Sequence, residues 1–201
     1  MAVTALARAA LCALVLSLGA RAVAAQGTIS AGKVREGTLS FDGRATVGNF
    51  TGTTTAVTGE MSGGDSLPAV RGWVEAPVRT IETGNDRRDK DLNRSMESDE
   101  YPTIRFELTG VEPRAPAGDS LPVLLLGRFI IHGVTREAAI PVSLAFPPGA
   151  VRVSGETLLN LEDYGIEGLT KMMGMLKMHE EIVVHIDVTF AASAPAGQAL
   201  R

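Results

Sequence analysis

From residue 36 onward apolar and polar side chains alternate one for one, and that period of two admits few folds. The run Thr103-Ile104-Arg105-Phe106-Glu107-Leu108-Thr109 sets Ile104, Phe106 and Leu108 on one side and only polar groups on the other. Between Glu137 and Phe146 the same rule gathers Ala138, Ile140, Val142, Leu144 and Phe146. Near the C-terminus Ile182, Val184, Ile186, Val188 and Phe190 oppose Glu181, His185, Asp187 and Thr189. Successive strand residues point to opposite faces, whereas a helix would scatter these positions around its circumference, so the segments read as half-buried antiparallel strands. Weaker alternations fill the gaps: Leu39 and Phe41; Val57 and Met61; Val70, Val74, Ala76 and Val78; Val151, Val153, Thr157, Leu159 and Leu161. Leu121 to Ile131, with Phe129, is apolar on both faces, which predicts a strand covered on its outer side as well.

About eight strands result, separated by Gly-, Pro- and Asp-rich turns at Gly63-Gly64-Asp65, Pro113 to Asp119 and Pro147-Pro148-Gly149. Many short strands at this spacing indicate a sandwich or a barrel. Its predicted interior is Val74, Val78, Ile104, Phe106, Leu108, Phe129, Ile140, Val142, Leu144, Val153, Leu159, Ile182, Val184, Ile186 and Val188. Two segments break the alternation. Asn85 to Met96 is densely charged, with only Leu92 and Met96 apolar at helical spacing, and reads as a short surface helix. Gly168 to Met178 carries Met172, Met173, Met175 and Met178 and reads as a helical turn or flexible flap leading into the last strand.

The first 25 residues stand apart. Arg8 precedes an apolar run from Ala9 to Leu18, and Val23-Ala24-Ala25 offers the small residues that a signal peptidase accepts. That run is half the roughly 20 residues a membrane span needs. The reading is a signal peptide over residues 1–25, a single domain over 26–192 and a disordered tail over 193–201. It carries the expectation of a periplasmic or secreted protein. Cys12, the chain's one cysteine, lies inside the leader, so the mature domain has no disulfide and no thiol nucleophile. The chain holds 19 Lys+Arg against 23 Asp+Glu, and two of those arginines, Arg8 and Arg21, fall in the leader. An acidic domain with one Trp and two Tyr is poorly suited to nucleic acid, which selects a basic face and stacking aromatics. Once the leader is removed, no apolar run is long enough to be an integral membrane segment.

Four stretches, in order, resemble the YceI-like family of bacterial periplasmic or secreted lipid-binding barrels. They are Thr83-Gly84-Asn85 with Arg88-Asp89, Tyr101-Pro102-Thr103-Ile104-Arg105-Phe106, Ile131-His132-Gly133-Val134-Thr135-Arg136, and Asp163-Tyr164-Gly165. The similarity spans roughly residues 30 to 190. It implies an all-β, extended, antiparallel eight-stranded lipocalin-like barrel with a short surface helix. It also implies a long cavity that holds an apolar lipid, an isoprenoid or similar, against the interior face named above. On the same resemblance Thr83, Gly84, Asn85, Arg88, Asp89, Tyr101, Pro102, Gly133, Thr135, Asp163 and Gly165 are turn and structural positions rather than ligand contacts. Phe129-Ile130 departs from the Leu-Thr common in the family. With six Phe, two Tyr and one Trp, few large aromatics are available to fill such a barrel, and an apolar guest would supply the missing contacts. Pairing of two barrels into a homodimer is left open.

Other chemistries fit less well. Gly-Asp-Ser-Leu, the signature string of a serine esterase family, occurs at Gly64 to Leu67 and again at Gly118 to Leu121. That chemistry needs an Asp three residues before a His to orient the base. The residues three before His132, His179 and His185 are Phe129, Leu176 and Ile182. No catalytic residue is therefore assigned, no cofactor is expected, and the three separate histidines give no zinc site. Met172, Met173, Met175 and Met178 with His179 could hold Cu(I). Read as an adaptable apolar rim instead, they need no metal, and that reading is adopted. The function that follows is carriage of a long apolar lipid. The alternatives are an envelope enzyme acting on such a lipid or a Met/His copper-binding envelope protein.

Overall fold

A computed structural model describes residues 31–191 apart from 47, 65, 116–119, 167–169, 172–175 and 178. The leader, the tail and the four methionines of the Met-rich segment lie outside the described residues. The strands are β1 (Gly32–Gly43), β2 (Phe50–Thr54), β3 (Thr58–Ser62), β4 (Arg71–Pro77), β5 (Thr103–Pro113), β6 (Leu121–Ile131), β7 (Val134–Ala145), β8 (Ala150–Asn160), β9 (Thr170–Lys171), β10 (Leu176–Lys177) and β11 (Glu181–Ala191). One helix, α1 (Asp86–Ser95), links β4 to β5.

The sheet runs β11-β8-β7-β6-β5-β4-β3-β1-β2, and β1 also pairs with β11, which closes it. Nine strands make an eight-stranded barrel because β2 and β3 are two halves of one. Along β1 they keep a single register, from Gly43↔Phe50 through Leu39↔Thr54 to Gly32↔Met61. The break at Thr55 to Val57 is held by the Thr54 hydroxyl, which accepts from Ala56 N at 3.1 Å and lies 2.7 Å from the Thr80 hydroxyl. Val57 turns into the core there. The space it enters exists because β1 carries Gly37, where a Cβ would stand 3.0 Å from that of Val57.

The connection containing α1 falls at one end of the barrel, here called the helix end, together with the β6–β7 hairpin. The connections between β3 and β4, β5 and β6, and β7 and β8 fall at the opposite end, the far end. Two apolar clusters divide the interior along this axis. One, around Val70, Val111, Val123, Ile140, Leu144, Val188 and Phe190, occupies the middle and the far end. The other, around Val78, Met96, Ile131, Leu159, Leu161, Tyr164 and Ile166, sits under the helix end.

Several expectations need correction. Val78 does not continue β4. The strand stops at Pro77, and Val78 opens a 3-10 turn (Val78–Thr80), fully buried in the helix-end cluster. Phe146 falls just beyond β7 and is 55% exposed, so the inward row ends at Leu144. Among the described residues β6 packs chiefly at its edges on β5 and β7, and Leu124, Leu126 and Ile130 on its outer face are half-buried rather than covered. The flanks of the Met-rich segment are strand rather than helix, since β9 and β10 pair as Leu176↔Lys171 and Lys177↔Thr170.

Candidate functional site

The barrel encloses a cavity of about 240 Å3 that runs from the far end to α1. Its walls follow from the alternation. On β5, Ile104, Phe106 and Leu108 border it; a bulge between Leu108 and Gly110 then shifts the phase by one residue and brings Val111 inward as well. β4 contributes Gly72, Val74 and Ala76, and β6 contributes Leu125, Phe129 and Ile131. Ile140 and Leu144 come from β7, and Val151, Val153 and Leu159 from β8. Ile182, Val184, Ile186, Val188 and Phe190 complete the circuit on β11.

Of the predicted interior, Val74, Ile104, Phe106, Leu108, Phe129, Ile140, Leu144, Val153, Leu159, Ile182, Val184, Ile186 and Val188 border this space. Val78 and Val142 do not. Val142 shares the inward face of β7 but lies over Gly155 on β8, where a Cβ would approach Val142 Cγ1 to 2.8 Å, so its side chain is packed within a filled layer. Ala138 also belongs to the packed layer, and Gly127 is roofed by the Phe106 ring.

Among the wall residues outside the predicted interior, two groups stand out. Phe41 and Phe50 border the cavity near the helix end, their rings edge to face with centroids 6.0 Å apart. Each ring lies over the glycine paired with it across the ladder, Phe41 over Gly52 and Phe50 over Gly43; a Cβ at either glycine would come within 2.5 Å of a ring atom. The cross-strand Phe–Gly pairing was the available signal, and it becomes visible only once the register is known. The second group is the stripe Arg88, Leu92, Ser95 and Met96 on and just after α1. Spaced by four, three and one, these residues share one helical face, and that face roofs the cavity. The expected surface helix is therefore also a wall.

The structural residues have specific partners. Asn85 caps α1, its Oδ1 accepting from the amides of Arg87 (3.1 Å) and Arg88 (3.0 Å). Asp89 accepts from Thr83 N at 2.9 Å and from the Thr83 hydroxyl at 2.5 Å, tying the helix to the loop before it. Gly84 stands at φ 70°, in the left-handed region that a turn of this kind requires. His132 and Gly133 both have positive φ in the tight β6–β7 hairpin, and Tyr101 packs on both, so its ring leaves no room for a Cβ at Gly133. Pro102 carbonyl accepts from Val78 N at 2.9 Å. A 3-10 turn (Leu161–Tyr164) ends on left-handed Gly165 and is tied to the hairpin: His132 Nδ1 donates to Tyr164 carbonyl (3.0 Å), and Arg136 Nε to Asp163 carbonyl (3.0 Å). Burial, with Asp163 second, raises the Tyr164 hydroxyl above its ordinary pKa. Thr135 is an exposed residue of β7 opposite Ile130.

The residues weighed for other chemistry are dispersed. Ser66 and Ser120 lie at the far end, whereas His132 sits in the helix-end hairpin. His185 faces outward, its Nε2 2.8 Å from Asp42 Oδ2. That contact, with the Thr51 hydroxyl second, holds the Asp42 carboxyl below the usual carboxylate range. Among the described residues no group of three or more His, Cys, Asp or Glu side chains is placed to hold a metal. No described helix is long and apolar enough to cross a membrane.

Comparison with known proteins agrees with this geometry. The family model for the YceI-like domain matches residues 30–190. Among solved structures, the chain superposes on a polyisoprenoid binding domain from Saccharophagus degradans implicated in plant cell wall breakdown. The TM-score is 0.65 at 13% identity, covering 82% of this chain and 99% of that one. BcnA from Burkholderia cenocepacia gives a TM-score of 0.64 at 12% identity, covering 76% and 95%. No curated protein matches.

Proposed function

This chain belongs to the YceI-like domain family, and from that premise we propose that it is an exported binding protein that carries a long apolar lipid, of polyisoprenoid type, inside its barrel. The observation that carries the proposal is the wall itself, a continuous surface of Leu, Ile, Val and Phe from nearly every strand around a space that the side chains do not fill. Apolar surface facing an unfilled cavity forgoes dispersion contacts and excludes water, and an apolar chain restores those contacts at about 25 cal/mol per Å2 buried. The polyisoprenoid-binding neighbour shares the fold, which supports this class of guest. The leader read in residues 1–25 supports export to the periplasm or the medium.

Binding rather than catalysis is the favoured reading because the cavity brings no nucleophile and base together among the described residues. The test is organic extraction and mass spectrometry of protein purified from its own envelope. A stoichiometric long-chain isoprenoid or similar lipid is the expected result. Protein that is folded, free of lipid and unable to take up an added prenol would overturn the proposal.

A further inference from the structure

One seam of the barrel is only partly closed. β7 and β8 have 12 and 11 residues, yet their ladder pairs stop at Val142↔Gly155, leaving the halves toward the helix end apart. On their other edges the same strands pair along their length. β7 meets β6 from Leu121↔Leu144 to Ile131↔Val134, and β8 meets β11 from Ala191↔Ala150 to Glu181↔Asn160. The cause is local. The Pro141 carbonyl points at β8, 2.5 Å from where a Cβ on Gly155 would stand. A strand residue's amide points the same way as its carbonyl, so the hydrogen that proline lacks is the one β8 would have received. Among the described residues no ladder pair joins 134–140 to 156–160. Near the helix end the gap is spanned by two side-chain bonds, from His132 Nδ1 and Arg136 Nε to the carbonyls of Tyr164 and Asp163.

The margins of this gap are apolar inside and out. Ile140 on one side and Leu159 on the other border the cavity. Outside, the register continued from Val142↔Gly155 sets Ala139 opposite Leu158, and the flanking ladders extend that row to Leu126 and Val183. Leu158 is 65% exposed, an apolar side chain held out to solvent at the edge of the gap. We infer that the apolar guest enters and leaves sideways, between β7 and β8, past Ala139 and Leu158. This rests on the carriage reading above and names the route. A chain passing there breaks no ladder bond and parts two side-chain bonds, whereas a sideways route elsewhere would first strand paired backbone groups.

The experiment bridges the gap. Protein carrying Cys12→Ser, Ala139→Cys and Leu158→Cys is loaded with tritiated geranylgeraniol, then joined by a bis-maleimide whose spacer holds a reducible disulfide. Transfer of the label to phosphatidylcholine vesicles is timed. Another sideways route must break at least two ladder hydrogen bonds, each worth about fivefold, so bridging should slow transfer about tenfold or more. Reducing the spacer should restore the rate, and capping both thiols singly should leave it unchanged. The same bridge across an intact ladder, Ile130→Cys with Thr135→Cys, should also leave it unchanged. Transfer indifferent to the first bridge, or slowed equally by the second, would overturn the inference while leaving carriage standing. Failure of the unbridged parent to take up the prenol would sink carriage itself. Should the cysteine pair prevent folding, Arg136→Gln decides the matter. Losing its bond to Asp163 should quicken transfer by about two- to fivefold with prenol affinity held within about twofold. An unchanged or slower rate in that variant refutes the route.

Discussion

Stripping the lipid from the barrel should lower its stability by an amount the cavity itself sets. Core-truncation experiments associate an unfilled apolar void with about 24 cal/mol per Å3. For 240 Å3 that is about 6 kcal/mol, comparable with the whole stability of many domains. The wall is made mostly of Leu, Ile, Val and Phe on a closed sheet, which lets side chains lean inward but holds the backbone. Partial collapse should therefore recover about half, leaving a deficit of about 3 kcal/mol. For a domain of this length each kcal/mol moves the melting temperature by about 2–4 °C, so the stripped protein should melt about 6–12 °C below the loaded one. The assay is calorimetry on protein as purified, after denaturant-assisted organic extraction and refolding, and after reloading with a prenol. The reloaded sample should return to the original value, because a ligand that binds only the native state stabilises it by mass action. Melting points within 2 °C or so across all three, with lipid loss shown by mass spectrometry, would refute the idea that the guest completes the core.

Other expectations are open to direct measurement. Phe106→Asp and Val142→Asp place an unpaired carboxylate in the cavity wall and in the packed layer respectively. Both should abolish soluble folding or lipid retention, and either variant remaining folded and loaded would show the inward register to be wrong. The Asp187 carboxyl is held below its ordinary pKa chiefly by the bond to Arg152, whose Nε lies 2.8 Å from Oδ1. A lowered carboxylate pKa contributes stability at neutral pH that is lost as pH falls through the folded value, below 3.8. Arg152→Gln should thus lower stability only slightly at pH 7, this pair being exposed, and urea titrations should show the difference from the parent vanishing as Asp187 protonates. N-terminal sequencing of exported protein should begin at or near Gln26, and an intact Met1 on membrane-bound protein would refute the leader. Replacing Met172, Met173, Met175 and Met178 together by Leu should leave lipid retention within a few-fold, since such swaps typically cost less than about 1.5 kcal/mol. Tight Cu(I) binding in the parent that disappears in this variant would favour the metal alternative.

The strands were legible wherever one face is buried and the other wet, as on β5, β7 and β11, because there the chemistry of each side chain reports its face. The eight-stranded barrel was legible only through the four motif stretches; the alternation by itself left sandwich and barrel both open. Failures came where a backbone event changes phase without changing composition. The bulge after Leu108 converts Val111 from an outward to an inward residue, and nothing in the run Leu108-Thr109-Gly110-Val111 announces it. Val78 was misplaced for the converse reason: apolar alternation carries straight through Pro77, although the strand does not. Arg88 was read as structural, and it is, through Thr83 and Phe50. That it also faces the cavity depends on where α1 docks, which no local pattern encodes.

Pro141 shows how the two ends of the barrel come to differ. β7 and β8 are long strands, yet they pair only from Val142↔Gly155 to Ala145↔Arg152. The ladder stops beside Pro141, which has no amide hydrogen to give, and the Pro141 carbonyl lies so near Gly155 that a Cβ there would approach it to 2.5 Å. Beyond that point toward the helix end the wall passes from the β7–β8 ladder to Leu159, Leu161 and Ile166, with the Leu161–Tyr164 turn fastened to the hairpin by His132 and Arg136. Across the cavity α1 forms a further non-strand part of the wall. Both of these departures from regular sheet lie at the same end as Arg88, while the far end is walled by strand residues and by Leu67 and Val70 of the β3–β4 connection. Helix and turn contacts involve few hydrogen bonds compared with a closed ladder, so exchange of a guest at the helix end would leave the barrel whole. The sheet supplies most of the apolar wall of the cavity, and the helix and turn close it at the helix end.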